Sequence, residues 1–257
     1  MNIATLPNLR ELGGHRTADG GTLRSGVLYR SVDLSRLDES GSEALRSLGI
    51  QTVFDLRTEQ ECIDRPDRVP QGVRRVPLDV LGDADDLAPA QLTALLEDPR
   101  SAEEVLGGGR AEQLFERAYR SFVALPSARR AYQGLFRGLT TAAEEGAVLF
   151  HCTTGKDRTG WAAASLMLLL GVEPDEVMAD YLRTNQDLLP ALQPIFDAFE
   201  QAGGDPEALT PVLGVREAYL AAALDEAHRQ FGGIEGYFTL GLDLSEAEIG
   251  HLRDALV

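Results

Sequence analysis

Apolar positions along the chain follow two rhythms. Short uninterrupted runs recur between turn-forming residues: Thr52-Val53-Phe54-Asp55-Leu56, and most clearly Ala147-Val148-Leu149-Phe150 after Gly146. Weaker candidates lie at Val27-Leu28-Tyr29 and within Val73 to Leu78. Runs of this length, bounded by turn signals, predict buried strands. Between them, apolar residues return at three- and four-residue spacing and predict helices over Glu39 to Leu48, Arg110 to Val123, Ser127 to Ala143, Thr159 to Leu170, Tyr219 to Phe231 and Ser245 to Leu256. Gly49 supplies the stop of the first. Strands separated by helices imply an α/β fold, a mostly parallel central sheet of about four strands with helices on its faces.

The rhythm breaks in two places. The start is irregular, with turns at Gly13-Gly14 and Asp19-Gly20-Gly21. From 81 to 125 an acidic stretch, Asp83-Ala84-Asp85-Asp86, precedes helical patterning around Ala90 to Leu96, a capping-box signal at Ser101-Ala102-Glu103-Glu104 and the break Gly107-Gly108-Gly109. This insertion reads either as covering helices or as a lid hinged at the glycines.

Composition narrows the picture. With 257 residues, 44% of them hydrophobic, one domain over residues 1–257 is the default. No basic and apolar leader opens the chain, and the longest largely apolar run, Trp161 to Leu170, is too short to cross a bilayer. The expectation is a protein with no transmembrane segment, acting as a monomer, cytoplasmic or secreted without a recognisable signal peptide. Two cysteines make no disulfide framework, which suits a reducing compartment. The net charge of −17 argues against nucleic acid or an anionic membrane surface as main partner, since a phosphate backbone needs a broad basic face. An anionic substrate must therefore be held by a local pocket, and Met1 to Arg36, with five arginines against three carboxylates, partly offers one.

One compositional feature is sharper. All 24 basic residues are arginine except Lys156, and it falls within His151-Cys152-Thr153-Thr154-Gly155-Lys156-Asp157-Arg158-Thr159-Gly160. A compact ammonium kept there, in an otherwise arginine-only chain, points to a position where a planar guanidinium does not serve.

That segment lies between the clearest strand and an apolar helix. A loop so placed turns its backbone N–H groups around one point at a helix N-terminus, an anion-binding nest. The nest, the helix dipole and Arg158 all favour the thiolate of Cys152, the nucleophilic form. Arg158, six positions after Cys152, can bind two phosphoryl oxygens with its fork. Thr153, Thr154, Gly155 and Lys156 complete the phosphate-binding loop. Thr159 can give a hydroxyl to the sulfur as it leaves, and Gly155 serves where a tight turn excludes a Cβ. His151 orders the loop rather than acting as base. Two cysteines 90 positions apart and four scattered histidines provide no zinc site, and no nucleotide-cradling glycine motif occurs.

The pattern H-C-x-x-G-x-x-R-[ST] resembles the protein tyrosine phosphatase superfamily, and the H-C-x-x-G-K-D-R-T-G form its atypical bacterial branch. Asn8-Leu9-Arg10-Glu11-Leu12-Gly13-Gly14, Leu28-Tyr29-Arg30-Ser31, Phe54-Asp55-Leu56-Arg57, Ala179-Asp180-Tyr181-Leu182-Arg183-Thr184-Asn185 and Leu213 to Leu220 extend the resemblance over most of the chain. The resemblance implies a tyrosine-phosphatase-like fold with a helical lid at 81–125 and a cysteinyl-phosphate intermediate at Cys152. It implies Arg158 as clamp and hydrolysis without metal or other cofactor. It also implies broad specificity toward phosphorylated protein or phosphoinositide, with Lys156 reaching a second phosphate. The general acid is either Asp157 within the loop, which the branch favours, or Asp79 after Val76-Pro77-Leu78, there being no Trp-Pro-Asp tripeptide. Asp55 and Arg57 fit a supporting ion pair, and Cys62 is structural or a redox partner of Cys152. A sulfurtransferase or arsenate reductase also uses a cysteine in an anion loop, but the longer C-x-x-G-K-D-R-T loop speaks against both. An inactive phosphate-binding module sits poorly with intact Cys152 and Arg158.

Overall fold

A computed structural model describes residues 3–84 and 106–257 of the chain. Strand β1 (Arg10–Glu11) and β2 (Leu28–Ser31) precede helix α1 (Glu39–Ser47), β3 (Ile50–Asp55), helix α2 (Glu59–Asp64) and β4 (Arg74–Pro77). Helices α3 (Arg110–Ala124) and α4 (Pro126–Glu145) lead into β5 (Ala147–His151) and α5 (Arg158–Leu169). The chain continues with α6 (Pro174–Leu188), α7 (Gln193–Gln201), a short turn at Thr210–Leu213, α8 (Glu217–Phe231), a π-helical turn at Tyr237–Gly241 and α9 (Glu246–Leu256).

The five strands lie in the order β1-β2-β5-β3-β4, all parallel except the two-residue β1, which pairs antiparallel with β2. Four of these strands match the apolar runs. The fifth, β1, is too short to show a period, and it exists because Arg10 pairs with Arg30 and Glu11 with Tyr29 on the neighbouring strand. Last in sequence, β5 is inserted between β2 and β3, and its final residue His151 pairs with the final residues Ser31 and Asp55 of both. Three strand ends therefore converge where the loop begins, the crevice in which parallel α/β sheets hold their ligands.

Pleating splits the sheet between two apolar layers. Val148 and Phe150 of β5, Phe54 of β3 and Leu28 of β2 face a large core built by α3, α4, α5, α8 and α9. Ala147 and Leu149, Val53 and Tyr29 face a smaller one closed by Leu45 of α1 and by Leu6, Leu34 and Leu37. Helix α5 is apolar all round because it is enclosed, with every residue but Leu168 buried. Its neighbour α3 buries Tyr119, Phe122 and Val123 in the large core. Of the segment 81–125, the helical patterning at 90–96 and the capping-box signal lie outside the described residues, while its last part, α3, is a core helix.

Helix α2 carries no apolar period, and its signal is polar: Thr58 and Glu61 form a reciprocal capping box. Asp38 caps α1 by accepting from Gly41 N at 2.8 Å, and Gly49 ends it with φ 74°. Among the described residues no helix is long and apolar enough to cross a membrane.

Candidate active site

Cys152 follows directly on the central strand β5 and is buried, 1% exposed. From it the chain turns through Thr153, Thr154, Gly155, Lys156 and Asp157 before Arg158 opens α5. Gly155 occupies φ 66°, and a Cβ there would fall 2.1 Å from the carbonyl oxygen of Ser31, so both the backbone angle and the space require glycine. The loop is pinned from below. Asn8 Nδ2 donates to the carbonyls of Thr154 (3.2 Å) and Gly155 (3.0 Å), and Arg30 Nη2 donates to the same Gly155 carbonyl at 2.7 Å. The Thr153 carbonyl accepts from Asp33 N at 3.1 Å.

Those pins are themselves anchored. Arg30 is fully buried; burial first, and then the neighbouring Arg10, bring its pKa down to about 10, against the pull of Asp180. Asp180 on α6 accepts from Arg10 Nε at 2.8 Å and from Arg30 Nη1 at 3.3 Å. Arg10 in turn donates to the side chain of Asn8. Burial raises the Asp180 carboxyl, and the two arginines overcome it and hold its pKa below the usual range. A buried charged lattice thus spans Asn8, Arg10, Arg30 and Asp180 and ends on the loop carbonyls.

Arg158 is held from the other side. Its Nη1 and Nη2 donate to Glu61 Oε2 and Oε1 at 2.6 and 2.8 Å, and Thr153 Oγ1 donates to the same carboxylate. Burial works to raise the Glu61 pKa, but Arg158 and then Thr153 bring it down to about 2. Two of the five guanidinium N–H donors are committed to Glu61. The Tyr132 hydroxyl holds the helix start by donating to the Arg158 carbonyl at 3.0 Å. Thr159 is buried, and its Oγ1 has no hydrogen-bond partner among the described residues.

Asp157 occupies the N-cap of α5 without capping it. Its Oδ1 accepts instead from Lys156 Nζ at 2.8 Å and from the Tyr119 hydroxyl at 3.1 Å. Lys156 is 4% exposed, its ammonium 4.3 Å from the centre of the Phe115 ring on α3. Asp79 is differently engaged: Oδ2 accepts from Glu59 N at 3.2 Å at the start of α2, and Oδ1 from Leu81 N at 3.0 Å.

Beneath the cysteine lies a second buried cluster. Arg57 binds Asp55 through Nε (2.9 Å) and Nη2 (2.8 Å), and Asp67 lies 2.8 Å from the same Nη2. Arg75 Nη2 reaches Asp55 at 2.6 Å. His151 donates through Nδ1 to the Cys152 carbonyl at 2.9 Å, with Nε2 3.2 Å from Asp67. Burial opposes protonation of His151, but Asp67 and Asp55 raise its pKa. Asp55, Asp67 and His151 bring ligand atoms within 4.8 Å of one another, yet Arg57 and Arg75 already balance the two carboxylates, leaving a cation no charge to neutralise. Cys62 Sγ lies 3.3 Å from Asp55 Oδ2; burial and that carboxylate push its thiol up to about 11. Such a thiol is a poor nucleophile.

Several of these residues have no role readable from sequence. Asn8, Arg10, Arg30 and Asp180 sit in segments shared with the resembled family, and Glu61 completes a capping box, but nothing local aims any of them at the loop.

A sequence profile of the tyrosine phosphatase family matches residues 1–257. The chain is 35% identical to the triple specificity protein phosphatase PtpB of Mycobacterium tuberculosis across the whole of both chains. It is 31% identical to a putative tyrosine-protein phosphatase of Cupriavidus necator, covering 96% of this chain and 86% of that one. It is 30% identical to a tyrosine-protein phosphatase of Nostoc commune, covering 88% and 73%. Among solved structures, TpbA of P. aeruginosa aligns with 77% of this chain and 88% of its own, at 18% identity and a TM-score of 0.36.

Proposed function

The chain belongs to the tyrosine phosphatase family, and from that membership we propose a phosphomonoester hydrolase of broad specificity that works through a cysteinyl-phosphate at Cys152. Enzymes of this type act on phosphorylated substrates. The observation that carries the reading is the pairing of Cys152, at the end of the central strand, with Arg158, six residues on, held by Glu61.

In the first step the Cys152 thiolate attacks phosphorus, while the loop N–H groups and the Arg158 guanidinium take the equatorial oxygens. The leaving oxygen collects a proton from Asp157. In the second step water attacks the phosphocysteine, Asp157 takes a proton from it, and the sulfur departs as thiolate, assisted by the Thr159 hydroxyl. Asp157 is favoured over Asp79 because it adjoins Arg158 and its carboxylate is not spent on capping, whereas both Asp79 oxygens are engaged by backbone N–H groups.

Phosphotyrosine is the core substrate class. Phosphoserine, phosphothreonine and phosphoinositides extend it; the name of the mycobacterial relative, a triple specificity protein phosphatase, supports breadth as such. Lys156 would meet a second phosphate by exchanging its contact with Asp157 for the anion.

The test is turnover of para-nitrophenyl phosphate in excess chelator, with Cys152→Ser alongside. Metal-independent activity that Cys152→Ser abolishes is expected. Activity that needs a divalent metal, or survives the substitution, would overturn the mechanism. A panel of phosphopeptides and phosphoinositide vesicles then ranks the substrates.

A further inference from the structure

A carboxylate at a helix N-cap ordinarily accepts from the helix's own first-turn N–H groups. Asp157 does not, because its Oδ1 is turned toward α3 and receives the Tyr119 hydroxyl at 3.1 Å. Tyr119 receives in turn the hydroxyl of Tyr181, from α6, at 2.7 Å. Chemistry fixes the direction of this chain: an ionised carboxylate only accepts, so Tyr119 donates to it, and the lone pairs left on Tyr119 accept from Tyr181. Both phenols are buried, and burial first, then the charge of Asp157, raises their pKa well above the ordinary phenol range, so they stay protonated donors.

The chain is also rigid. The Tyr119 ring packs at 5.0 Å on Phe122, at 5.8 Å on Tyr219 and edge-on at 6.2 Å to Tyr181, and neither tyrosine hydroxyl can swing without breaking that aromatic packing. With Lys156 Nζ at 2.8 Å, Oδ1 carries two donors, one of them a cation. Oδ2 has no hydrogen-bond partner among the described residues, on a side chain that stays 18% exposed. The two oxygens of one carboxyl are therefore unequal: one is fixed and electrostatically satisfied, the other is open.

We propose that Tyr119 and Tyr181 are positioning residues that pin Oδ1 of Asp157 and so present Oδ2 as the oxygen that gives and takes the proton. This rests on the reading of Asp157 as the general acid. The tyrosines exchange no proton with substrate; their effect is to hold the carboxyl plane so that Oδ2 faces the leaving group, and it is felt only where the leaving group needs a proton.

The experiment compares an activated aryl phosphate, whose leaving group departs without protonation, with a phosphoserine peptide, whose alkoxide requires it. Tyr119→Phe removes one O–H and keeps the ring. Its kcat on the phosphoserine peptide should fall about tenfold, the loss of one aligned hydrogen bond, with KM unchanged and less than about twofold loss on the aryl phosphate. Tyr181→Phe should show the same selectivity at about threefold, since it acts through Tyr119. The double variant should be no slower than Tyr119→Phe alone, as expected for one chain. If Tyr119→Phe does not fold, Tyr181→Phe decides by the same selectivity. Equal losses on both substrates, or additive losses in the double variant, overturn the proposal. Asp157→Asn separates the two levels. If it is leaving-group-selective while the tyrosine variants are not, only the positioning role fails. If Asp157→Asn shows no selectivity, the acid assignment and the positioning role fall together.

Discussion

Glu61 accepts two hydrogen bonds from the guanidinium of Arg158, at 2.6 and 2.8 Å, across 97 residues of sequence. The contact turns a residue that locally caps α2 into the one that aims Arg158, the proposed phosphate clamp. Bidentate pairing fixes the plane of the guanidinium as well as its position. It also neutralises a cation that burial would otherwise penalise.

Glu61→Gln keeps the shape and removes the charge. Breaking one side of a buried pair costs on the order of 3 kcal/mol, which urea unfolding would register. Activity should fall at least about tenfold on every substrate, aryl or alkyl, because the clamp serves phosphate binding in all of them. A variant as stable and as active as the parent would show that the pair is incidental.

The same contact has a pH signature. The folded pKa of Glu61 is about 2, below its ordinary 4.5, so its contribution to stability is complete above about pH 4.5 and is lost as the pH falls toward 2. The parent protein should lose stability through that window more steeply than Glu61→Gln, with melting temperature against pH as the measurement. Parallel curves would count against the pairing.

Asp157→Asn should slow a phosphoserine peptide by about 100-fold or more while sparing an activated aryl phosphate, the usual size of general-acid catalysis. Asp79→Asn removes an acceptor from the start of α2 and should lower stability modestly without leaving-group selectivity. The opposite pattern would assign the proton to Asp79.

Gly155→Ala brings a Cβ to within 2.1 Å of the Ser31 carbonyl at a backbone φ of 66°, so the loop must shift away from β2. Loss of activity greater than about 100-fold is expected, because nest and nucleophile move together. Thermal unfolding would distinguish a displaced loop from an unfolded chain.

Lys156→Arg replaces an ammonium buried between Asp157 and the Phe115 ring. A guanidinium is larger and planar, so loss should be greatest on multiply phosphorylated substrates and smaller on phosphotyrosine peptides, read as kcat/KM ratios. Equal loss across substrates would leave Lys156 a packing role only.

The loop from Cys152 to Gly160 was legible because its parts are neighbours in the chain: an apolar run, a cysteine, a glycine, an arginine at fixed spacing and an apolar helix. Composition added Lys156 by its uniqueness. The four longer strands and helices α1, α3, α4, α5, α8 and α9 followed from periodicity, because burial of an apolar face leaves a repeating mark. Strand β1 and helix α2 left none, being short and held by partners rather than by an apolar face.

Amino-acid order alone therefore determined the fold class, the candidate nucleophile loop and the family it resembles. The strand order that places β5 between β2 and β3 was decided only in three dimensions, and with it the approach of Glu61 to Arg158, of Asn8 and Arg30 to the Gly155 carbonyl, and of Tyr119 and Tyr181 to Asp157. The reason is range. A capping box or a catalytic loop is written within a few residues. A buried charge or a hydroxyl chain is completed by whatever distant side chain the packing of helices against the sheet brings within about 3 Å, the reach of a hydrogen bond.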